Sequence, residues 1–191
     1  MARPHIIEVG ERRGELVILH TIGHGRRTLD EFIALLKRHA ISAIADVRTT
    51  PVSRWAPWFN RAQLGQSLDD AGITYVFLGK ELGGRPDDDS LYTIDGHVKY
   101  RAMSGTPLFI SGFDRLVAGA EKYRLAVMCS ESDHHDCHRN LLIGRVAANH
   151  EIAVLHITKS GEIEPFDESL VHDDALFEIE PDEWISAVKV R

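Results

Sequence analysis

The sequence predicts an α/β protein of three layers, with a mainly parallel sheet and helices on both faces. Three observations carry this expectation. Five short apolar runs recur along the chain: LVILHTI, ISAIADV, ITYVFL, LAVMC and IAVLHI. Segments with helical periodicity or helix caps lie between them. Strands that alternate with helices build β-α-β units, whose right-handed crossovers place helices over both faces of a parallel sheet.

The elements follow in order. Leu16–Ile22 reads as a buried strand that ends in the turn Gly23-His24-Gly25. Thr28 and Glu31 have capping-box spacing. Leu29, Phe32, Ile33 and Leu36 then mark one face of an amphipathic helix. Ile41–Val47 is the second strand, followed by a loop whose Pro51 and Pro57 resist regular structure. Asn60 is placed to cap a helix over Arg61–Ala71, with Gly72 as its stop. Ile73–Leu78 is the third strand. Gly79–Gly96 is a long loop rich in Gly, Asp and Pro, a length usually kept for function or mobility. Pro107–Tyr123 reads as a helix, Leu125–Cys129 as the fourth strand, Cys137–His150 as a helix with Asp136 as its cap, and Ile152–Ile157 as the fifth strand.

Composition bounds the class. The 191 residues are 43% hydrophobic and 27% charged, which suits an ordinary globular domain. Two cysteines exclude a disulfide scaffold and point to a reducing, cytoplasmic setting. No apolar run approaches the roughly 18 residues that span a bilayer. MARPHIIEVGERRGE has charges where a signal peptide needs its apolar stretch. The net charge of −7 argues against broad binding to nucleic acid or acidic membrane. That charge is unevenly spread: ten acidic and two basic residues follow Ser160, against nineteen and twenty before it. The expected organisation is therefore a domain over 1–160 and an acidic C-terminal tail over 161–191. The tail is free to dock on the body, cover its basic side or pair with a second chain. A monomer and a homodimer both stay open.

Parallel sheets bind ligands at the carboxyl ends of their strands. Those ends carry His24, then Asp46 and Arg48, then Arg85 beyond the third strand, then Cys129 and Glu131. Residues 128–140, MCSESDHHDCHRN, are the densest stretch of reactive side chains. Cys137, His138 and Arg139 would occupy a first helical turn, where free N–H groups and the helix dipole favour anions and thiolates.

TIGHG at 21–25, DVR at 46–48, LGGRP at 82–86 and CSESDHHDCHR at 129–139 occur in this order. Together they resemble the signature of the family catalogued as domain of unknown function 488, over roughly residues 16–157. The resemblance implies an α/β fold and candidate residues in the Cys-x-Glu and Cys-His-Arg blocks. It implies no reaction.

Cys129 is the candidate nucleophile, with a buried structural cysteine as the plainer alternative. A phosphatase-type loop needs an arginine six residues after the cysteine, and His135 stands there. Glu131, His24 and Asp46 are candidates for acid–base chemistry. Arg48, Arg139, His138 and Arg85 are candidates for holding an anion. Asp46 and Arg48 would share a strand face, so a structural ion pair at the sheet rim is an equal reading. Cys129, Glu131, His134, His135, Cys137 and His138 also offer donors for zinc, although Cys-x7-Cys is no standard zinc spacing. Arg54, Trp55, Trp58, Phe59 and Arg61 mix bases with aromatics, which suits stacking on nucleobases or covering a core. No dinucleotide or P-loop fingerprint is present, so no cofactor is assigned. The expected function is a cytosolic enzyme acting on an anionic, nucleotide-like or nucleic-acid substrate. A non-catalytic nucleotide or nucleic-acid binding module and a metal-binding protein remain as alternatives.

Overall fold

The computed structural model describes residues 16–169 and 184–190. Its strands are β1 (Ile18–Gly23), β2 (Ala43–Asp46), β3 (Thr74–Phe77), β4 (Leu125–Cys129), β5 (Ala153–Ile157) and β6 (Ile163–Pro165). They form one sheet in the order β3-β2-β4-β1-β5-β6. β1 to β5 pair in parallel, and β6 runs antiparallel to β5. The three-layer α/β expectation holds, with β6 as an antiparallel edge. β6 lies beyond residue 160, in the stretch read as a tail. Three residues ending in proline are too short to show a strand's alternation.

Alternating side chains split the core in two. Leu19, Ala45, Val127 and Val154 pack with Phe109, Phe113 and Leu142 on one face. Ile22, Ile44, Ala126 and Met128 pack with Phe32, Leu36, Leu64 and Leu68 on the other. The helices on that second face are α1 (Leu29–Arg38) and α2 (Arg61–Asp70). The expected capping box is present: Glu31 N donates to Thr28 Oγ1 at 3.2 Å, and Thr28 N donates to Glu31 Oε2 at 2.8 Å. Asn60 stands at the start of α2 but does not cap it. Its side-chain oxygen accepts from Ser53 N at 2.6 Å and ties down the preceding loop instead.

The first face carries α3 (Gly79–Leu82), α4 (Tyr100–Ser104), α5 (Pro107–Ala120) and α6 (Arg145–Asn149). Thus the long loop after β3 is partly ordered: it contains α3 and a 3-10 turn at Asp89–Leu91 and buries Leu82 and Leu91. The single helix expected from Cys137 is replaced by a π-helical segment, Arg139–Gly144, that runs into α6. Asp136 is not its cap. The N-cap position falls to His138, which makes no side-chain cap bond.

The segment 184–190 docks on the body. Buried Trp184 donates its indole N–H to Leu141 O at 2.6 Å, and the Arg145 guanidinium lies 4.7 Å above its ring. Ser186 N donates to Val98 O at 2.9 Å and Val190 N to Gly96 O at 2.8 Å. The acidic residues between 170 and 183 lie outside the described residues, and so does the idea that they cover a basic side. Among the described residues no helix is long and apolar enough to cross a membrane.

Three histidines are buried in or beside the sheet: His20, His24 and His156. Burial pulls His20 and His24 down from 6.5 to about 4, and His156 to about 3. Between pH 6.5 and these values the unfolded chain binds protons that the native protein refuses. Their contribution to stability is therefore complete above pH 6.5 and is lost as the pH falls through about 4. The urea midpoint should drop between about pH 7 and pH 5, a window above most carboxylate titration. His156→Gln should flatten part of that slope.

Candidate functional site

Register brings the strand ends together. β4 lies between β1 and β2, so Gly23 pairs with Cys129 on one side and Asp46 with Met128 on the other. His24 N then donates to Cys129 O at 3.0 Å, and Val47 N to Met128 O at 3.1 Å. The loop after β3 returns to this point, where Arg85 N donates to Thr49 Oγ1 at 3.1 Å. A cavity of about 550 Å³ opens here, lined by Arg48, Arg85, Cys129, Glu131 and His138. Ser186, Val188 and Val190 supply part of its wall from the docked C-terminal segment.

Four side chains meet at the cavity floor. Cys129 Sγ and Glu131 Oε2 are in hydrogen-bond contact, and Cys137 Sγ lies 3.4 Å from the same oxygen. His138 Nδ1 is 3.7 Å from Cys129 Sγ and 3.8 Å from Cys137 Sγ. The other ring nitrogen, Nε2, is 3.1 Å from Val47 O. A carbonyl only accepts, so Nε2 carries the hydrogen and Nδ1 faces the sulfurs. Gly84 lets its chain lie against this ring, since a Cβ there would meet His138 Cγ at 2.9 Å.

The two thiols are driven apart. A hydrogen bond from Cys137 lowers Cys129 most; burial opposes this, and the His138 charge and Glu131 bond lower it further. The net direction for Cys129 is well below an ordinary thiol. Cys137 moves well above one, through the same bond with Cys129 and then burial. Burial pulls His138 down, but the charges of Cys129 and Glu131 outweigh it and the net direction is up. A Cys129 thiolate facing a His138 imidazolium is the charge state that this arrangement favours.

Behind the floor, Asp46 and Arg48 form a buried fork. Asp46 Oδ1 accepts from Arg48 N and Nε at 3.1 and 2.9 Å, and Oδ2 accepts from Nη2 at 2.6 Å. Tyr75 OH donates to Oδ2 at 2.7 Å, and Arg48 Nη2 also donates to Phe59 O at 2.8 Å. Burial raises Tyr75 and the Asp46 charge adds to it, so the phenol stays protonated. The expected ion pair is present, although β2 ends at Asp46 and Arg48 lies just beyond it; Arg48 also lines the cavity. His24 stacks on Phe59 at 4.2 Å, with Nε2 3.4 Å from Arg48 Nη1 and Nδ1 3.0 Å from Gly25 O.

Of the eight candidate site residues, Arg48, Arg85, Cys129, Glu131 and His138 line the cavity. His24 and Asp46 stand behind Arg48. Arg139 does not reach the cavity. Its side chain is buried, packs against Gly23 and directs Nη2 towards Ser132 O at 3.5 Å. It lies under the loop that carries Glu131. The six possible zinc donors separate into two groups: Cys129, Glu131, Cys137 and His138 at the floor, and His134 and His135 facing Glu164 of β6. In the aromatic loop, Phe59 is buried and Arg61 stacks 4.2 Å over Phe77, while Trp55 stays exposed. Sequence reasoning missed Tyr75, which reads as an ordinary apolar strand residue in ITYVFL, and the C-terminal wall, whose residues carry no motif.

A family model described as domain of unknown function DUF488 matches residues 28–146, more than half of the chain. The matched stretch holds DVR, LGGRP and the whole cysteine-histidine block, while TIGHG precedes it. No curated protein and no solved structure matches the chain.

Asp46 is fully buried and Arg48 is 6% exposed, so removing one partner strands a charge. Asp46→Ala should cost about 3–5 kcal/mol in denaturant unfolding. Replacing both, as Asp46→Leu with Arg48→Met, should cost less than the single change. A single variant as stable as the native chain would show that the pair carries no such weight.

Proposed function

The chain belongs to the DUF488 family, and from that premise we propose that it is an enzyme whose Cys129 attacks an anionic, nucleotide-like or nucleic-acid substrate in the crevice. One observation carries this reading: Cys129 Sγ sits on the cavity floor 3.7 Å from His138 Nδ1, while His138 Nε2 is anchored on Val47 O. This is the nucleophile–base–orienter arrangement of covalent catalysis, with a backbone carbonyl as orienter. The Cys129 thiolate supplies the nucleophile. His138 holds that thiolate and carries the proton a leaving group needs. Glu131, touching both thiols, is the second acid–base group.

Two arginines in the lining support the substrate class, beside the carboxylates of Glu131, Asp133 and Asp136. Arg48 is immobilised by Asp46, which offsets its charge, and its guanidinium N–H groups suit phosphate or carboxylate. Arg85 adds a second guanidinium at the rim. A cavity of about 550 Å³ is in the size range of small-molecule sites and fits one nucleotide unit or a strand end.

A second reading rests on one further observation. Cys129 Sγ, Cys137 Sγ and His138 Nδ1 all lie within 4.8 Å of one another, and Glu131 Oε2 adjoins both sulfurs. That donor set suits tetrahedral zinc. The two readings differ at Cys137, which is a ligand in one and a hydrogen-bond donor in the other.

Alkylation of Cys129 by a haloacetamide tests the proposal. Inorganic phosphate and nucleoside monophosphates should slow the reaction, and Arg85→Ala should remove that protection. His138→Ala should slow alkylation near pH 7 by about tenfold or more, since one unit of thiol pKa is tenfold in thiolate. A rate indifferent to every anion would sink the anion pocket. Stoichiometric zinc after purification without chelator, lost in Cys137→Ser, would favour the metal centre instead.

A further inference from the structure

His134 and His135 take no part in the crevice chemistry, yet their surroundings are ordered. His134 Nε2 lies 3.7 Å and His135 Nε2 3.6 Å from one atom, Glu164 Oε1. Both separations exceed a hydrogen bond. They approach the roughly 3.3 Å between two ligands of one tetrahedral ion with bonds of about 2.0–2.1 Å. His135 Nδ1 is 2.7 Å from Asp133 Oδ1, which also accepts the His135 backbone N–H at 3.0 Å. That bond places the ring hydrogen on Nδ1 and leaves Nε2 towards Glu164. It is the carboxylate–histidine pairing that supports metal ligands from behind.

The rest of the cluster is held in place. His134 stacks between His135 at 4.2 Å and His156 at 4.1 Å, and His156 is bonded to Thr21 Oγ1 at 2.7 Å. Glu164 pairs with His156 in the register of β5 and β6. The His134 side chain is 7% exposed, whereas His135 is 63% and Glu164 45% exposed. One ligand is thus fixed by packing; of the two open to solvent, His135 must turn out of its stack on His134 to bring both ring planes onto one ion.

We infer that His134 Nε2, His135 Nε2 and Glu164 Oε1 form a second site for a divalent transition-metal ion, with ligands distinct from the crevice cluster and Asp133 lining the cavity between them. Asp133 orients His135 within it. Two imidazoles and a carboxylate select zinc, nickel or copper over magnesium or calcium. An ion there ties the loop that carries Glu131 to the edge strand β6, so it should raise the melting temperature.

The test is a nickel titration by calorimetry on the full chain carrying Cys129→Ser and Cys137→Ser, which removes the crevice thiols. One equivalent should bind. Adding His135→Ala or Glu164→Gln, both at exposed side chains, should weaken binding at least tenfold. Asp133→Asn should weaken it by about tenfold through the orienting bond. If the double cysteine variant does not fold, cobalt titration of the native chain replaces it. The second site should then give ligand-field absorption without a sulfur-to-metal charge-transfer band, and His135→Ala should remove that component. No saturable binding would overturn the inference, as would binding that neither His135→Ala nor Glu164→Gln weakens. The cluster would then be an imidazolium–carboxylate pairing only.

Discussion

All five residues of β4 are buried, and the strand is paired along both edges by β1 and β2. Parallel strands covered on both faces are the most apolar of a sheet, and LAVMC meets that requirement. The remainder of the site hangs on this placement. With β4 between its neighbours, Cys129 is carried up beside Gly23 and one step from Val47. Val47 O is the group that anchors His138. The pairing of β4 with β2 is what sets that anchor beside the imidazole.

Polar groups in such a place must satisfy one another, because water does not. The fork between Asp46 and Arg48 does this with three bonds, and Tyr75 and Phe59 O take up further capacity. One guanidinium is therefore both a structural partner and a fixed cation at the cavity wall. His24 contributes differently: it stays neutral, stacked on Phe59, and closes the space behind Arg48. In the Gly-His-Gly turn, His24 thus packs on Phe59 and stands 3.4 Å from Arg48 Nη1, a residue that lines the cavity.

The C-terminal segment packs on the body. Trp184 fills a buried position against Leu141 and Arg145, and residues just after it wall the cavity. The antiparallel strand β6 brings Glu164 against the histidines of the loop after β4. Residues outside the β-α-β core therefore complete both clusters of reactive side chains.

Local rules made much of this legible. The box of Thr28 and Glu31 and the pairing of Asp46 with Arg48 follow from spacings of two or three residues, and the five parallel strands from apolar runs that alternate with helices. So did the gathering of Cys129, Glu131, Arg48 and Arg85 at the strand ends, because parallel strands must point their carboxyl ends the same way. Other features depend on partners far along the chain. Arg139 turns beneath Ser132, against Gly23 of β1, and does not face the cavity. Which histidine met a thiol and which met Glu164 was decided by the path of the loop and the edge strand. The sequence determined which side chains reach the end of the sheet. Only the tertiary structure decided which atoms touch there, since hydrogen-bond and thiol chemistry turn on distances set by packing between segments as far apart as Val47 and His138.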